Sequence, residues 1–584
     1  MPTLEFRIDA TRPSNRRLWV VATYSGFDQA EVEFFMPTWT PGSYLLREYS
    51  RHLSRVEAFA SDDQRALSCR KASKNRFVIA TDGAETLELR YRVYAHELSV
   101  RTADVDSGHA YWNHACVLLW PVNQRSLPAR ITVDYPAEWS LTCSLEAEAA
   151  TAKSLDAAAI TLRATDLDHA LDAPVLVGTA QQLDWEVHGV PHSILLDGLD
   201  SIAPPATLVS DLARIVEQAS AVFGDTLPYE RYLFLALFTG EGYGGLEHRD
   251  STTLLMPRTS LTTESGYQDF LALAAHELFH AWNVKRMRPV EFWEYDYEQE
   301  NYTKLLWLME GWTAYYDDLL LVRAGLTTKV EYLASMAKNV QNMRAAPGRF
   351  ELSLEESSFD AWIRLYRPDE NTRNSSQNYY GNGAVAAMCL DLLIRRTTDG
   401  THSLDKVLES LYRTTFTQGR GYEVADVYRV IEEIAGSDVV ERLRELVTGP
   451  LNPKLDDLLS DVGVKLKDRE AGKPFLGVGF RAGTTVIASV TDGSPADACR
   501  LAPEDELLAV ANLRVKPGSW QTTFAAVAQV DKPVELLIAR RGVVRSVQAT
   551  PSAGPGKVKL VVNDAASDAQ RSAGTAWMGE GRST

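Results

Sequence analysis

The sequence predicts a multidomain protein of the α+β class, on three observations. The chain has 584 residues, whereas a single hydrophobic core rarely serves more than about 300. Apolar and polar residues alternate through the amino-terminal third, which is typical of strands, and helical patterns fill much of the middle of the chain. A short β-rich segment with glycine-containing turns comes near the carboxyl terminus. We therefore expect several domains of different composition.

Residues 1–180 are predicted to form an all-β, sandwich-like domain. Alternation is clear at residues 18–24, 31–35 and 86–94, with turns between these runs.

Residues 181–330 are predicted to form a mixed α/β domain. A helix near residues 206–223 precedes a buried strand at 232–238 and a second strand at 251–256. The glycine-rich segment 240–248 leads into the second strand, and its Gly244 and Gly245 allow close backbone approach. We expect a sheet edge here, to which a bound peptide adds as an extra strand.

An HExxH motif at residues 276–280 indicates the chemistry of this domain. Residues four apart share one face of a helix, so His276 and His280 can bind one zinc ion, and Glu277 lies beside them as general base. Ser265 and Gln268 have the spacing of a capping box. The motif is therefore expected in the middle of a helix.

A catalytic zinc ion needs a third protein ligand and an open position. Glu310 lies in a mostly apolar helical run, where a buried carboxylate is costly unless it is paired or bound to a metal. We predict Glu310 as that ligand, with one Zn²⁺ per chain.

Three segments together resemble the bacterial glycyl aminopeptidase family of zinc peptidases. They read GYGGLEHRDS at 242–251, HELFHAWNVKRMRP at 276–289 and LLWLMEGWTAYYDDLLLVRAG at 305–325. The resemblance implies a gluzincin, with a thermolysin-like catalytic domain at 181–330 and a preference for small amino-terminal residues. It also implies that the aromatic loop at residues 37–44 lies near the active-site cleft; a loop that only packs its own aromatic rings is the alternative.

The resemblance extends to the aminopeptidase N group and implies two further roles. Residues 244–248 resemble its glycine-x-methionine-glutamate-asparagine motif, so Glu247 is expected to bind the α-ammonium group of the substrate; His248 replaces the asparagine. Tyr380 matches the group's oxyanion-binding tyrosine in a tyrosine-x-lysine-glycine pattern. Asn382 stands in place of the lysine, which leaves Tyr379 as the alternative.

The rest of the chain is predicted as a helical domain at 331–465, a small domain at 466–563 and a mobile tail at 564–584, in which Trp577 and Met578 could instead dock on the protein. The small domain resembles a PDZ domain, with residues 475–478 as its carboxylate-binding loop. Glycines usual in that pattern are replaced at Arg500, Glu504 and Leu513, so we expect rebuilt turns. A C-terminal peptide ligand and a purely structural role both stay open.

Composition limits the partners. The net charge of −18 argues against nucleic acid, and no apolar run is long enough to cross a membrane. Five widely spaced cysteines indicate reduced thiols, and no signal peptide is recognisable, so we expect a cytoplasmic protein, or a periplasmic one if a signal was removed.

The predicted function is that of a zinc aminopeptidase acting on peptides with a free amino terminus. Two alternatives stay open. One is a zinc endopeptidase whose PDZ-like domain recruits substrates; the other is a noncatalytic peptide-binding protein or chaperone, which would have no need for Glu277 as a base.

Overall fold

The structure is a computed structural model that describes residues 2–148, 151–152, 156–469 and 471–582. The chain divides into two compact units. The first comprises Met1–Asn301 and Tyr412–Gly421, and the second comprises Tyr302–Leu411 and Tyr422–Thr584.

The amino-terminal part of the first unit is β-rich, as predicted. Alternate side chains of its strands are buried, for example Leu4, Phe6 and Ile8 in Thr3–Asp9, because period-2 alternation places the apolar residues on one face. One sheet contains, in spatial order, Glu146–Ala147, Ala157–Ala164, Ala129–Pro136, Thr3–Asp9, Arg17–Ser25, Thr86–Tyr94, Leu53–Ala60 and Ala66–Leu67, with Thr151–Ala152 also paired to Ala157–Ala164.

Two further sheets complete this β-rich part. The first has the order Ser140–Cys143, Val175–Gly178, His109–Trp112, Ala103–Val105. The second has the order Trp120–Pro121, Glu31–Phe35, Arg76–Ala80, Cys69–Lys71.

A five-stranded sheet comes next along the chain, in the order Gln181–Val187, Val190–Asp197, Tyr232–Thr239, Ser251–Pro257, Gly244–Glu247. Both strands predicted in this region are present, and Tyr232–Thr239 is buried along nearly its whole length between parallel neighbours. The glycine-rich strand Gly244–Glu247, here called the edge strand, is the last in the sheet and pairs antiparallel with Ser251–Pro257. Its outer side is therefore the position at which an extra strand can add.

The first unit has helices at Leu167–Leu171, Leu208–Val222 and Glu264–Phe279. The last, here called the histidine helix, carries the HExxH motif. It begins two residues earlier than the expected capping box, because the Thr263 side chain accepts a hydrogen bond from Gly266 N at 3.1 Å. The expected position in mid-helix is wrong as well: the helix ends at Phe279, and His280 is its C-cap.

Helices dominate the second unit, as predicted for its middle part. They are Leu306–Arg323, Lys329–Ala345, Leu354–Phe359, Thr372–Ser375, Gly381–Thr397, Leu404–Thr414 (whose last three residues count with the first unit), Val424–Ala435, Ser437–Thr448 and Leu455–Asp461. We call Leu306–Arg323 the glutamate helix and Gly381–Thr397 the tyrosine helix. Fourteen residues of the glutamate helix are buried, which explains its apolar sequence.

The carboxyl-terminal part of this unit contains short strands around its own core. Strand pairs join Val464–Arg469 to Lys557–Val562, Pro474–Phe475 to Ser552–Ala553 and Val478–Phe480 to Ile487–Val490; Leu513–Arg514, Glu506–Val510, Val534–Arg540 and Val543–Ala549 form a four-stranded sheet. Short helices lie at Pro495–Ala498 and Trp520–Val527. Leu476, Ile487 and Ile538 are among the buried core residues.

The turns of this part correct one expectation from the sequence. Arg500 and Glu504 have φ of 62° and 72°, and Asn512, next to Leu513, has φ of 66°. Arg500 and Glu504 therefore keep the left-handed conformation that favours glycine, and the expectation of rebuilt turns is wrong at these two positions. At Leu513 it is confirmed, because the left-handed residue there is the preceding Asn512 and not Leu513 itself.

The last segment of the chain contains the helix Asp568–Met578. Its Trp577 is fully buried and donates a hydrogen bond to Tyr315 Oη at 2.7 Å. This helix is therefore packed on the glutamate helix: the mobile tail expected there is wrong, and the alternative that Trp577 and Met578 dock is confirmed.

Among the described residues, all five cysteines are free thiols. None of the described helices has the length and apolar character that crossing a bilayer requires.

Candidate active site

The histidine helix holds the two motif imidazoles together. The ring centroids of His276 and His280 lie 4.8 Å apart with their planes 84° to one another. His280 keeps a helical backbone conformation as the C-cap, with φ of −61° and ψ of −18°, so the four-residue spacing still places both rings on one side. His276 is partly exposed and His280 is buried.

A backbone carbonyl fixes the tautomer of His280. Its Nδ1 lies 2.7 Å from the carbonyl oxygen of Asn283. Since a carbonyl only accepts, Nδ1 carries the proton and Nε2 carries the lone pair. An imidazole held in this way is typical of a metal ligand, because the bond orients the ring and makes Nε2 more basic.

The edge strand packs directly on the motif glutamate. A Cβ atom added to Gly245 would overlap the Glu277 carboxyl group, so only glycine allows this approach. Glu277 is buried. Donor atoms of Glu247, Glu277 and His280 all lie within 4.8 Å of one another. The structure thus brings together one residue of the predicted amino-terminus site and two residues of the HExxH motif.

A second glycine packs on Glu247. Gly42 has φ of +87°, and a Cβ atom there would overlap the Glu247 carboxylate. Gly42 belongs to the turn-rich aromatic loop, whose Trp39 Nε1 donates to the Asp296 carbonyl at 2.8 Å. No pattern in the sequence indicates the contact between Gly42 and Glu247, because these residues are far apart along the chain.

A buried ion pair next to Glu247 was also missed by sequence reasoning. Lys285 Nζ lies 2.7 Å from Asp172 Oδ1, and His248 Nδ1 lies 3.1 Å from the same oxygen. Burial alone would raise the pKa of Asp172, but the charge of Lys285 and the His248 hydrogen bond hold it well below its usual value. His248, which occupies the asparagine position of the motif, is therefore tied to this pair.

In the second unit, Glu310 is buried on the glutamate helix. This helix crosses the tyrosine helix very closely: a Cβ atom on Gly311 would lie 2.6 Å from Gly383 Cα and 2.8 Å from the Tyr379 carbonyl oxygen. Glycine at both positions lets the backbones meet. The crossing places Glu310 near the tyrosine pair that precedes the tyrosine helix.

The two tyrosines differ in accessibility. Tyr379 is fully buried, whereas Tyr380 is partly exposed and its hydroxyl lies 3.4 Å from that of Tyr366. Burial, and after it the charge of Glu310, raises the pKa of Tyr380 well above its ordinary value. Asn382, which departs from the lysine of the family pattern, is buried and donates to Gln377 Oε1 at 3.0 Å.

Two family models match parts of the chain. Residues 5–179 match the model of the peptidase M61 amino-terminal domain, and residues 269–386 match that of the M61 glycyl aminopeptidases. The chain is a peptidase. Its similarity is to the M61 aminopeptidases, so it hydrolyses peptide bonds.

Solved structures share the fold of this peptidase. An aminopeptidase N family protein from Idiomarina loihiensis matches with a TM-score of 0.91 and 26% identity, covering 99% of this chain and 100% of that one. An M1 zinc metallopeptidase mutant from Deinococcus radiodurans, crystallised with a Tyr-Ser-Ala substrate, matches with a TM-score of 0.50 and 19% identity, covering 78% and 95%. Curated protein sequences give no match.

Proposed function

We propose that the peptidase is a zinc-dependent aminopeptidase of the gluzincin type. The observation that carries the proposal is the proximity of Glu247 and Glu277. A carboxylate oxygen of each and a ring nitrogen of His280 all lie within 4.8 Å of one another. Glu247 is buried in a site lined by the edge strand and Gly42. A buried carboxylate rejects substrates that cannot neutralise it, so it selects a free α-ammonium group over a blocked one.

We propose that one Zn²⁺ per chain is held by His276, His280 and Glu310. Two imidazole nitrogens and one carboxylate oxygen are a donor set that suits catalytic zinc, and the tautomer of His280 leaves Nε2 for coordination. Bound zinc would supply Lewis-acid polarisation of the substrate carbonyl and of water. Glu277 is kept from ligation by its place between the two histidines of the motif.

Residues of the chain bind the substrate, transfer the proton and stabilise the oxyanion. Glu247 binds the α-ammonium group, and the edge strand with Gly244 and Gly245 aligns the substrate backbone. Glu277 takes a proton from the attacking water on a carboxylate oxygen and delivers it to the nitrogen of the leaving amine. Tyr380 donates its hydroxyl proton in a hydrogen bond to the developing oxyanion.

The description of the matching family model names glycyl aminopeptidases, and we propose a preference for small first residues such as glycine or alanine. We further propose that residues 466–563 form a PDZ-like domain. Gly477 in its predicted carboxylate loop has φ of +90°, and a Cβ atom there would overlap the Ser494 side chain, which is consistent with a tight loop.

The proposal is tested by hydrolysis of glycyl and alanyl p-nitroanilides against their N-acetyl counterparts. We expect turnover of the free amines only. In Glu247→Gln, kcat/KM for the free amines should fall by roughly 10- to 100-fold, as expected for loss of a charge-assisted hydrogen bond. Glu241→Gln, at an exposed position of the same glycine-rich segment, is the matched control and should be unchanged.

The other results would select the alternatives. Equal turnover of blocked substrates would make the protein an endopeptidase. Peptide binding without turnover of any substrate would favour the noncatalytic protein.

A further inference from the structure

A cavity of about 510 Å³ lies in the first unit. Pro41, the neighbour of Gly42, lines it, as do Asp172 and Lys285 of the buried ion pair. The exposed residues Thr165 and Arg249 also line it, so it opens to solvent. Its volume is large enough for an amino-acid side chain or a small organic acid.

Arg288 lines this cavity and has a buried nitrogen without a hydrogen-bond partner. Its guanidinium lies over the rings of Trp293 and Tyr295, 5.5 Å and 5.0 Å from their centroids. Its Nε is buried and has no hydrogen-bond partner in the structure. Within the described part of the chain, no carboxylate oxygen lies within 4.0 Å of its nitrogens. A buried donor without a partner is costly unless a ligand supplies one.

The acids of the cavity leave Arg288 Nε without a partner, although Asp168 interacts electrostatically with the guanidinium. Asp168 pairs with Arg125 at 2.6 Å, Asp172 with Lys285 at 2.7 Å and Asp250 with Arg286 at 2.7 Å, while Asp166 accepts a hydrogen bond from His169 N at 2.8 Å at the start of Leu167–Leu171. Arg249 adds another cation at the rim. The unpartnered Nε of Arg288 is therefore available to a bound anion.

We propose that this cavity binds a carboxylate group and that Arg288 is its ionic partner. A guanidinium presents paired N–H groups that match a carboxylate, and the aromatic rings hold its plane in place. The carboxylate comes either from an acidic first side chain of a substrate, which would add glutamyl substrates to the small first residues proposed above, or from a separate small dicarboxylic acid. Only the first source rests on the proposed function.

The test compares wild type, Arg288→Met and Arg288→Lys. Arg288→Met keeps an apolar stem over the rings and removes the charge. Binding of glutarate, a dicarboxylate without an amino group, is measured by calorimetry on the intact protein, and kcat/KM is measured for glutamyl and glutaminyl p-nitroanilides. Lys338→Met, at an exposed position of Lys329–Ala345 in the other unit, controls for the loss of one charge.

We expect Arg288→Met to lower glutarate affinity, or the glutamyl-to-glutaminyl ratio of kcat/KM, by about 10-fold or more, and Arg288→Lys to restore part of it. A fall in the kinetic ratio identifies the substrate side chain as the source. A fall in glutarate affinity alone identifies a separate acid.

Unchanged glutarate binding together with an unchanged kinetic ratio in Arg288→Met would overturn the proposal. If no substrate is turned over at all, the proposed function fails, and the glutarate titration alone still decides whether the cavity binds a carboxylate.

Discussion

At the residue scale, each acidic residue predicted in the first unit is approached by a glycine. Gly245 packs on Glu277 and Gly42 on Glu247, at distances that exclude any Cβ atom. A close approach at Gly245 was expected from its glycine-rich run, but by the backbone of a bound peptide and not by Glu277. The role of Gly42 could not be predicted, because its contact joins residues about two hundred positions apart, and a sequence pattern reports only local neighbours.

The choice between the two tyrosines is a residue-scale prediction. Tyr380 is partly exposed, whereas Tyr379 is fully buried, so substrate can reach only Tyr380. Tyr380→Phe should lower kcat by roughly 100-fold with a modest change in KM, as for loss of an oxyanion donor. Tyr379→Phe is the matched control, with kcat near wild type. The reverse pattern, measured by steady-state kinetics, would move the oxyanion role to Tyr379.

His109 gives a pH prediction at a site distant from the chemistry. Its Nδ1 lies 2.5 Å from Asp197 and its Nε2 lies 3.3 Å from Asp104, with Asp106 nearby. Burial opposes the charged imidazole, but the hydrogen bonds to these acids outweigh it and raise the pKa of His109 to about 10. Arg16 and His96 also contact Asp104.

A raised pKa means that the stabilisation from His109 is fully present below the unfolded-state pKa of about 6.5 and declines as pH rises through the folded-state pKa of about 10. At about 1.4 kcal/mol per pKa unit, the free energy of unfolding falls by on the order of a few kcal/mol over this pH range. The thermal midpoint of wild type should therefore fall more between pH 6 and pH 10 than that of His109→Gln. Parallel pH profiles would contradict this assignment.

At the element scale, the site depends on where helices end and cross. The histidine helix stops at Phe279, and its first turn is capped by Thr263. The sequence supported the helix but not these bounds, because Ser265 and Gln268 fit the capping-box pattern, whereas the N-cap actually used, Thr263, has Gly266 three residues later and does not fit it. The buried strand Tyr232–Thr239 was predictable from its continuous apolar run, since a strand covered on both faces has no polar side.

The crossing of the glutamate and tyrosine helices gives an element-scale prediction. Gly311→Ala adds a methyl group 2.6 Å from Gly383 Cα. The clash is with backbone, which cannot move aside as the end of a flexible side chain can. We expect a loss of about 1–3 kcal/mol in the free energy of unfolding from overpacking, with lower kcat because Glu310 and Tyr380 flank this crossing. Gly240→Ala, which meets nothing within 4 Å, is the control. Equal stability of the two variants, measured by urea unfolding, would show that the helices can separate without cost.

At the scale of the whole molecule, the class of fold and the class of enzyme could be predicted. The β-rich amino-terminal part and the helical middle part follow from hydrophobic periodicity, and the peptidase assignment follows from three short motifs; both agree with the comparisons. The cavity with Arg288 and the pair of Lys285 with Asp172 could not be predicted. Charged residues without periodicity look like surface positions until the fold buries them.

We propose that His276, His280 and Glu310 hold zinc while Glu277 takes a proton from the attacking water. The most direct measurement is zinc content by mass spectrometry, with turnover of alanyl p-nitroanilide, for wild type, Glu277→Gln and Glu310→Gln. We predict about one zinc per chain in wild type and Glu277→Gln, as a single catalytic site requires. Turnover in Glu277→Gln should fall by roughly 100-fold or more, and Glu310→Gln should lose both zinc and activity. Full zinc and activity in Glu310→Gln, or full turnover in Glu277→Gln, would contradict the account.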